Sequence, residues 1–112
     1  MGATLSTHVL DTARGVPAEG VSITLFALEG DLRRQIARRV TGDDGRTAGP
    51  LATSLAPGSY ELLFDAGAYF AEIGAAALYD EIPLRIRLEP GEMHYHIPLL
   101  LGPWGYTTYR GS

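Results

Sequence analysis

The chain contains no cysteine and no lysine. Without cysteine there is no thiol nucleophile, no disulfide framework and no thiolate metal site. Without lysine there is no Schiff-base chemistry. All basic charge sits on nine arginines scattered without a basic block, and the formal net charge is −4. That balance argues against a nucleic acid or an anionic membrane surface as partner. No apolar run approaches the roughly 20 residues a bilayer span needs. Neither a signal-peptide pattern nor a Ser-Lys-Leu address is visible, and the absence of cysteine fits a reducing compartment, so the expected location is the cytoplasm.

What is present is a chain of 112 residues, 46% apolar, punctuated by 14 glycines and 7 prolines. That size supports one two-layer core, so residues 1–112 read as a single domain. Apolar residues alternate with polar ones along Thr4–Leu10, Val21–Leu28, Ser59–Phe64, Ile82–Leu88 and Met93–Leu101, the period of half-buried strands. Leu32–Val40 carries Arg33, Arg34, Arg38 and Arg39. A surface helix fits those charges too, but the short Glu29–Asp31 turn favours an exposed edge strand. A short extended piece near Pro50–Thr53 and a last strand over Tyr106–Arg110 complete the β elements. The Ala-rich stretch Asp65–Ala77 breaks the alternation and reads as one short helix with Asp65 or the adjacent turn as its cap, Tyr69, Phe70 and Ile73 falling at helical spacing and the aromatic pair facing the core. Seven to eight short strands with one helix make an all-β fold, an antiparallel β-sandwich.

The polar positions carry the chemistry. His8 lies on the polar face of its strand with Thr4 and Ser6, and His94 and His96 share one face of theirs. For any one histidine alone, a plain surface role is the simpler reading. Imidazole is nevertheless the usual base for activating water near neutral pH, and the histidines can meet if their strands are neighbours. The His94-x-His96 spacing with His8 also fits three metal ligands, but no acidic or thiolate ligand is at hand and no metal is expected. Ser112 as the nucleophile of a serine triad lacks a following amide for the usual oxyanion hole. The turn Thr41–Arg46 reads on its own as a solvated loop. The strand-forming approach to Gly111 and Ser112 implies an ordered tail, most simply packed on another subunit.

Three separated stretches, Leu5–Ala18 (LSTHVLDTARGVPA), Asp44-Gly45-Arg46, and His94–Ser112 (HYHIPLLLGPWGYTTYRGS), resemble the signatures of the 5-hydroxyisourate hydrolases, the transthyretin-like enzymes of urate breakdown. The resemblance covers essentially the whole chain. It departs from the family pattern at Gly42, Gly102 and Leu78–Asp80, all in turns or at a helix edge. It implies a transthyretin-like (prealbumin-like) sandwich assembled as a homotetramer, a dimer of dimers, with active sites in a central channel. It also implies hydrolysis of the ring amide of 5-hydroxyisourate, without cofactor, to 2-oxo-4-hydroxy-4-carboxy-5-ureidoimidazoline. Carried over residue by residue, His8, Arg46, His96 and Ser112 are the catalytic positions. His8, Arg46 and Tyr109 bind substrate, and His94, Arg110 and Gly111 support them. The rival reading is a transthyretin-like binder of small molecules, which would share the fold and differ in the channel's lining.

Overall fold

The alternating segments become strands because each can bury one face and leave its other side chains outside. In the computed structural model, which describes residues 2–112, the order is β1 (Ala3–Asp11), β2 (Val16–Pro17), β3 (Ser22–Glu29), β4 (Leu32–Val40), β5 (Ala52–Leu55), β6 (Gly58–Phe64), α1 (Ala66–Glu72), β7 (Ile82–Leu88), β8 (His94–Leu101) and β9 (Tyr106–Thr108). One sheet runs β2-β1-β8-β9, with β5 also paired to β1. The other runs β4-β3-β6-β7. The core lies between them: Leu5 and Val9 of β1 and Ile97, Leu99 and Leu101 of β8 are buried with Ile23, Leu25, Leu62, Phe64 and Ile82 of the second sheet. The charged strand β4 is an edge, as its arginines imply.

Among the described residues, the strand pairings are antiparallel except one. β1 and β8 run parallel, pairing Thr4 with His94, Ser6 with His96 and His8 with Pro98. Since odd-numbered residues of both strands face the core, the even-numbered Thr4, Ser6, His8, His94 and His96 all lie on one outer face. This pairing places the functional side chains side by side.

Several local expectations are corrected. The helix ends at Glu72 rather than Ala77, because Ile73 forms the C-cap and Gly74 takes a left-handed φ of 73° with its N–H on the Ala71 carbonyl. Alanine propensity cannot carry the helix through that glycine. Ile73 is therefore exposed, while Tyr69 and Phe70 are buried and Asp65 caps the helix by accepting from the Ala68 N–H at 3.3 Å. The loop expected over Asp11–Pro17 contains the two-residue strand β2, folded back on β1. The last strand stops at Thr108.

Alternation also misjudges Glu61. Although it points away from the core, it is only 2% exposed, accepting from Arg33 Nη1 at 2.8 Å and Arg85 Nε at 3.0 Å. The Arg33 guanidinium in turn stacks on Phe26, 4.0 Å from the ring centroid. Two arginines and an aromatic ring thus cover one carboxylate on the outside of the second sheet.

Candidate active site

On the outer face of the first sheet, a cleft of about 520 Å³ is lined by Thr4 and Ser6 of β1, His94, Tyr95 and His96 of β8, Arg46 from the loop after β4, and Gly111 and Ser112. A smaller cavity of about 290 Å³ continues from it past Thr4, Ser6 and Arg46 towards Thr47 and Pro50. Three chain segments that are far apart in sequence supply the lining, and each is held by backbone hydrogen bonds.

The Arg46 loop is fastened to β1. The Gly45 carbonyl accepts from the Val9 N–H at 2.8 Å, and the Arg46 and Gly42 carbonyls accept from the N–H groups of Gly42 (2.8 Å) and Gly45 (2.9 Å). The Asp44 side chain accepts from the Arg46 N–H at 2.9 Å. Gly45 has φ 78°, and a Cβ there would strike the Val9 carbonyl oxygen and come within 3.1 Å of the His8 ring. Only glycine satisfies both demands. His8 closes the arrangement: its Nε2 lies 2.9 Å from the Asp44 carbonyl, which can only accept. The neutral His8 ring therefore carries its proton on Nε2, leaving Nδ1 bare.

The tail is fastened to β8. The Gly111 N–H donates to the His96 carbonyl at 2.7 Å, and a Cβ on Gly111 would lie 2.7 Å from His96 Cδ2. A glycine is thus what allows the tail to lie edge-on against the imidazole. Arg110 points back along the strand, donating to the His94 carbonyl at 3.0 Å, facing Glu92 at 3.6 Å and stacking over Tyr95. The tail is therefore held by contacts with its own β8.

His96 is the half-buried imidazole of the cleft, and Ser6 Oγ lies 2.8 Å from its Nδ1. Burial lowers its pKa below the ordinary histidine value, and the charges of Arg46 and His8 push the same way. A neutral ring near pH 7 follows, which is the form a general base needs.

Of the positions singled out from sequence, His94, His96, Arg46, Gly111 and Ser112 come together around one cleft. His8 stands beside it, turned to the Asp44–Arg46 loop. Tyr109 does not line it. At 55% exposure it borders a second cleft, between the edges of β7 and β9, with Leu84, Ile86 and Ile97. Among the described residues, no three His, Asp or Glu side chains are grouped to hold a metal ion. Sequence reasoning passed over Ser6, the strand neighbour of His96, although its place two residues before His8 on the same face was a usable signal.

Comparison with known proteins gives a consistent result. The model of the HIUase/Transthyretin family matches residues 5–111. A protein of Rhizobium meliloti, "5-hydroxyisourate hydrolase 2", is 50% identical over 96% of this chain and 95% of its own length. The 5-hydroxyisourate hydrolase of Deinococcus radiodurans is 48% identical with the same coverage of both. Among solved structures, the 5-hydroxyisourate hydrolase of Klebsiella pneumoniae superimposes with a TM-score of 0.87 at 39% identity, over 98% of this chain and 99% of that one. Sea bream transthyretin in complex with thyroxine superimposes with a TM-score of 0.90 at 30% identity, over 97% and 95%. An (S)-allantoin synthase also matches, with a TM-score of 0.90 at 40% identity. The match covers 99% of this chain but only 45% of the synthase.

Proposed function

The chain belongs to the HIUase/Transthyretin family, and from that premise and the lining of its cleft we propose that it hydrolyses 5-hydroxyisourate, acting as a single domain. The fold does not decide between hydrolase and carrier, since a transthyretin superimposes equally well. The observation that carries the choice is the lining: His96, Arg46 and the Gly111–Ser112 tail around one polar cleft.

In the proposed reaction, the neutral His96 ring takes a proton from water as the water oxygen attacks the ring amide carbonyl. Arg46 presents its planar, donor-only guanidinium to the oxygen that becomes negative. The tetrahedral centre then expels the ring nitrogen, which recovers the proton from the His96 imidazolium, and the ring opens to 2-oxo-4-hydroxy-4-carboxy-5-ureidoimidazoline. Water is the only co-reactant, so the scheme calls for no cofactor. His8 anchors the Arg46 loop. Ser112 and Tyr109 position the substrate.

The same proposal includes a homotetramer in the cytoplasm. Supporting assembly, β7 and β9 are open edges of their sheets, and the cleft between them has apolar lining from Leu84, Ile86 and Ile97. Tyr109 is turned out of its own chain's catalytic cleft, so association is the route by which it would meet substrate. Among the described residues no helix is long and apolar enough to cross a membrane.

The test is the decay of freshly generated 5-hydroxyisourate, followed by ultraviolet absorbance, for wild type, His96→Ala and Arg46→Ala. Acceleration by wild type alone is expected, with Arg46→Ala lowering kcat by about 10²–10³-fold, as for loss of one oxyanion donor. A folded wild type no faster than buffer would instead favour a carrier.

A further inference from the structure

Ser6 is a polar cleft residue to which the proposed reaction gives no task. It sits opposite His96 in the parallel pairing of β1 and β8, lines the same cleft, and places its hydroxyl oxygen 2.8 Å from Nδ1 of the ring. That contact is the only side-chain hydrogen bond recorded for either group among the described residues. Gly111 packs against the Cδ2 edge of the same imidazole. The ring is therefore gripped at Nδ1 and at Cδ2, and Nε2 is the nitrogen left to meet substrate or water.

A hydroxyl can either donate to a bare Nδ1 or accept from a protonated one, and the two cases put opposite chemistry at Nε2. Donation would leave Nε2 carrying a proton, useless as a base. It would also turn an N–H towards a cleft whose charged side chain, Arg46, offers only further donors. Acceptance leaves the Nε2 lone pair free for water in the cleft that Arg46 also lines. We propose that Ser6 is a positioning residue for the reaction: its oxygen accepts the Nδ1–H of His96 and so fixes the tautomer whose bare Nε2 takes the proton from water. This rests on reading the cleft as the hydrolytic site, with His96 as its base. Ser6 thereby fills the place that an orienting third group fills behind the histidine of other hydrolytic sites, from the adjacent strand and without a charge.

The test is two-bond 1H–15N correlation spectroscopy of the histidine rings in the full chain, above the ordinary histidine pKa, on wild type, Ser6→Ala and Ser6→Thr. Wild type should show His96 protonated on Nδ1 alone. Ser6→Ala should give averaged shifts from both tautomers, and Ser6→Thr, which keeps the hydroxyl, should restore the wild-type pattern. In 5-hydroxyisourate turnover, Ser6→Ala should lose about tenfold or more in kcat, a share of what a general base supplies, with KM little changed and recovery in Ser6→Thr. A wild-type His96 protonated on Nε2, or a Ser6→Ala spectrum and kcat identical to wild type, overturns the assignment. The spectra require no turnover, so an absence of hydrolysis by wild type would be recognised separately as failure of the hydrolase reading.

Discussion

His96 shows how one side chain's surroundings set its chemistry. Partial burial, the Arg46 charge and His8 all lower its pKa from 6.5. Because the folded value lies below the unfolded one, the unfolded chain binds the proton more readily between the two. The stability this group contributes is thus present above pH 6.5 and lost as pH falls through the folded value. Urea midpoints measured across that window should decline towards acid, and His96→Gln should flatten the decline. Arg46→Gln removes the second cause of the depression, so the acid limb of kcat/KM should move to higher pH; a limb that stays in place would separate Arg46 from His96 electrostatically. The chemical identities of these residues were legible from the HYH and DGR motifs. The lowered pKa was not, because it depends on burial and on which charges the fold brings near.

At the scale of elements, the strands were legible because their burial follows a period of two. Features set by one residue's backbone or by a distant neighbour were missed. Gly74 cut the helix short, and Glu61, a polar position in the alternation of Ser59–Phe64, is covered by two arginines, one from β4 and one from β7. That ion cluster is asymmetric. Glu61 is 2% exposed, whereas the Arg33 and Arg85 side chains are 48% and 72% exposed. Removing the carboxylate leaves cations that water can solvate, but removing both cations strands a buried anion. Glu61→Met should therefore cost little in urea denaturation, while Arg33→Met with Arg85→Met should cost about 3 kcal/mol or more. Equal costs would show that the pairing is weaker than its geometry. The two signature glycines should also separate. Gly45→Ala meets both a positive φ and a backbone clash and should lose about 1–3 kcal/mol of stability. Gly111→Ala meets mainly the His96 ring and should lower turnover while leaving the urea midpoint nearly unchanged.

For the molecule as a whole, sedimentation should give four times the 12.0 kDa of one chain, and a persistent monomer would remove the route by which Tyr109 meets substrate. The parallel pairing of β1 with β8 is the feature that sequence periodicity could not reveal, since alternation records which face is buried and not which strand lies alongside. The Ser6–His96 contact joins residues 90 positions apart. Closing so wide a loop is slow and comes after local hairpins have formed. Catalysis is thereby tied to the most non-local step of folding: in a refolding experiment, hairpin signals should return first and hydrolysis last, so recovered turnover would time completion of the assembled protein.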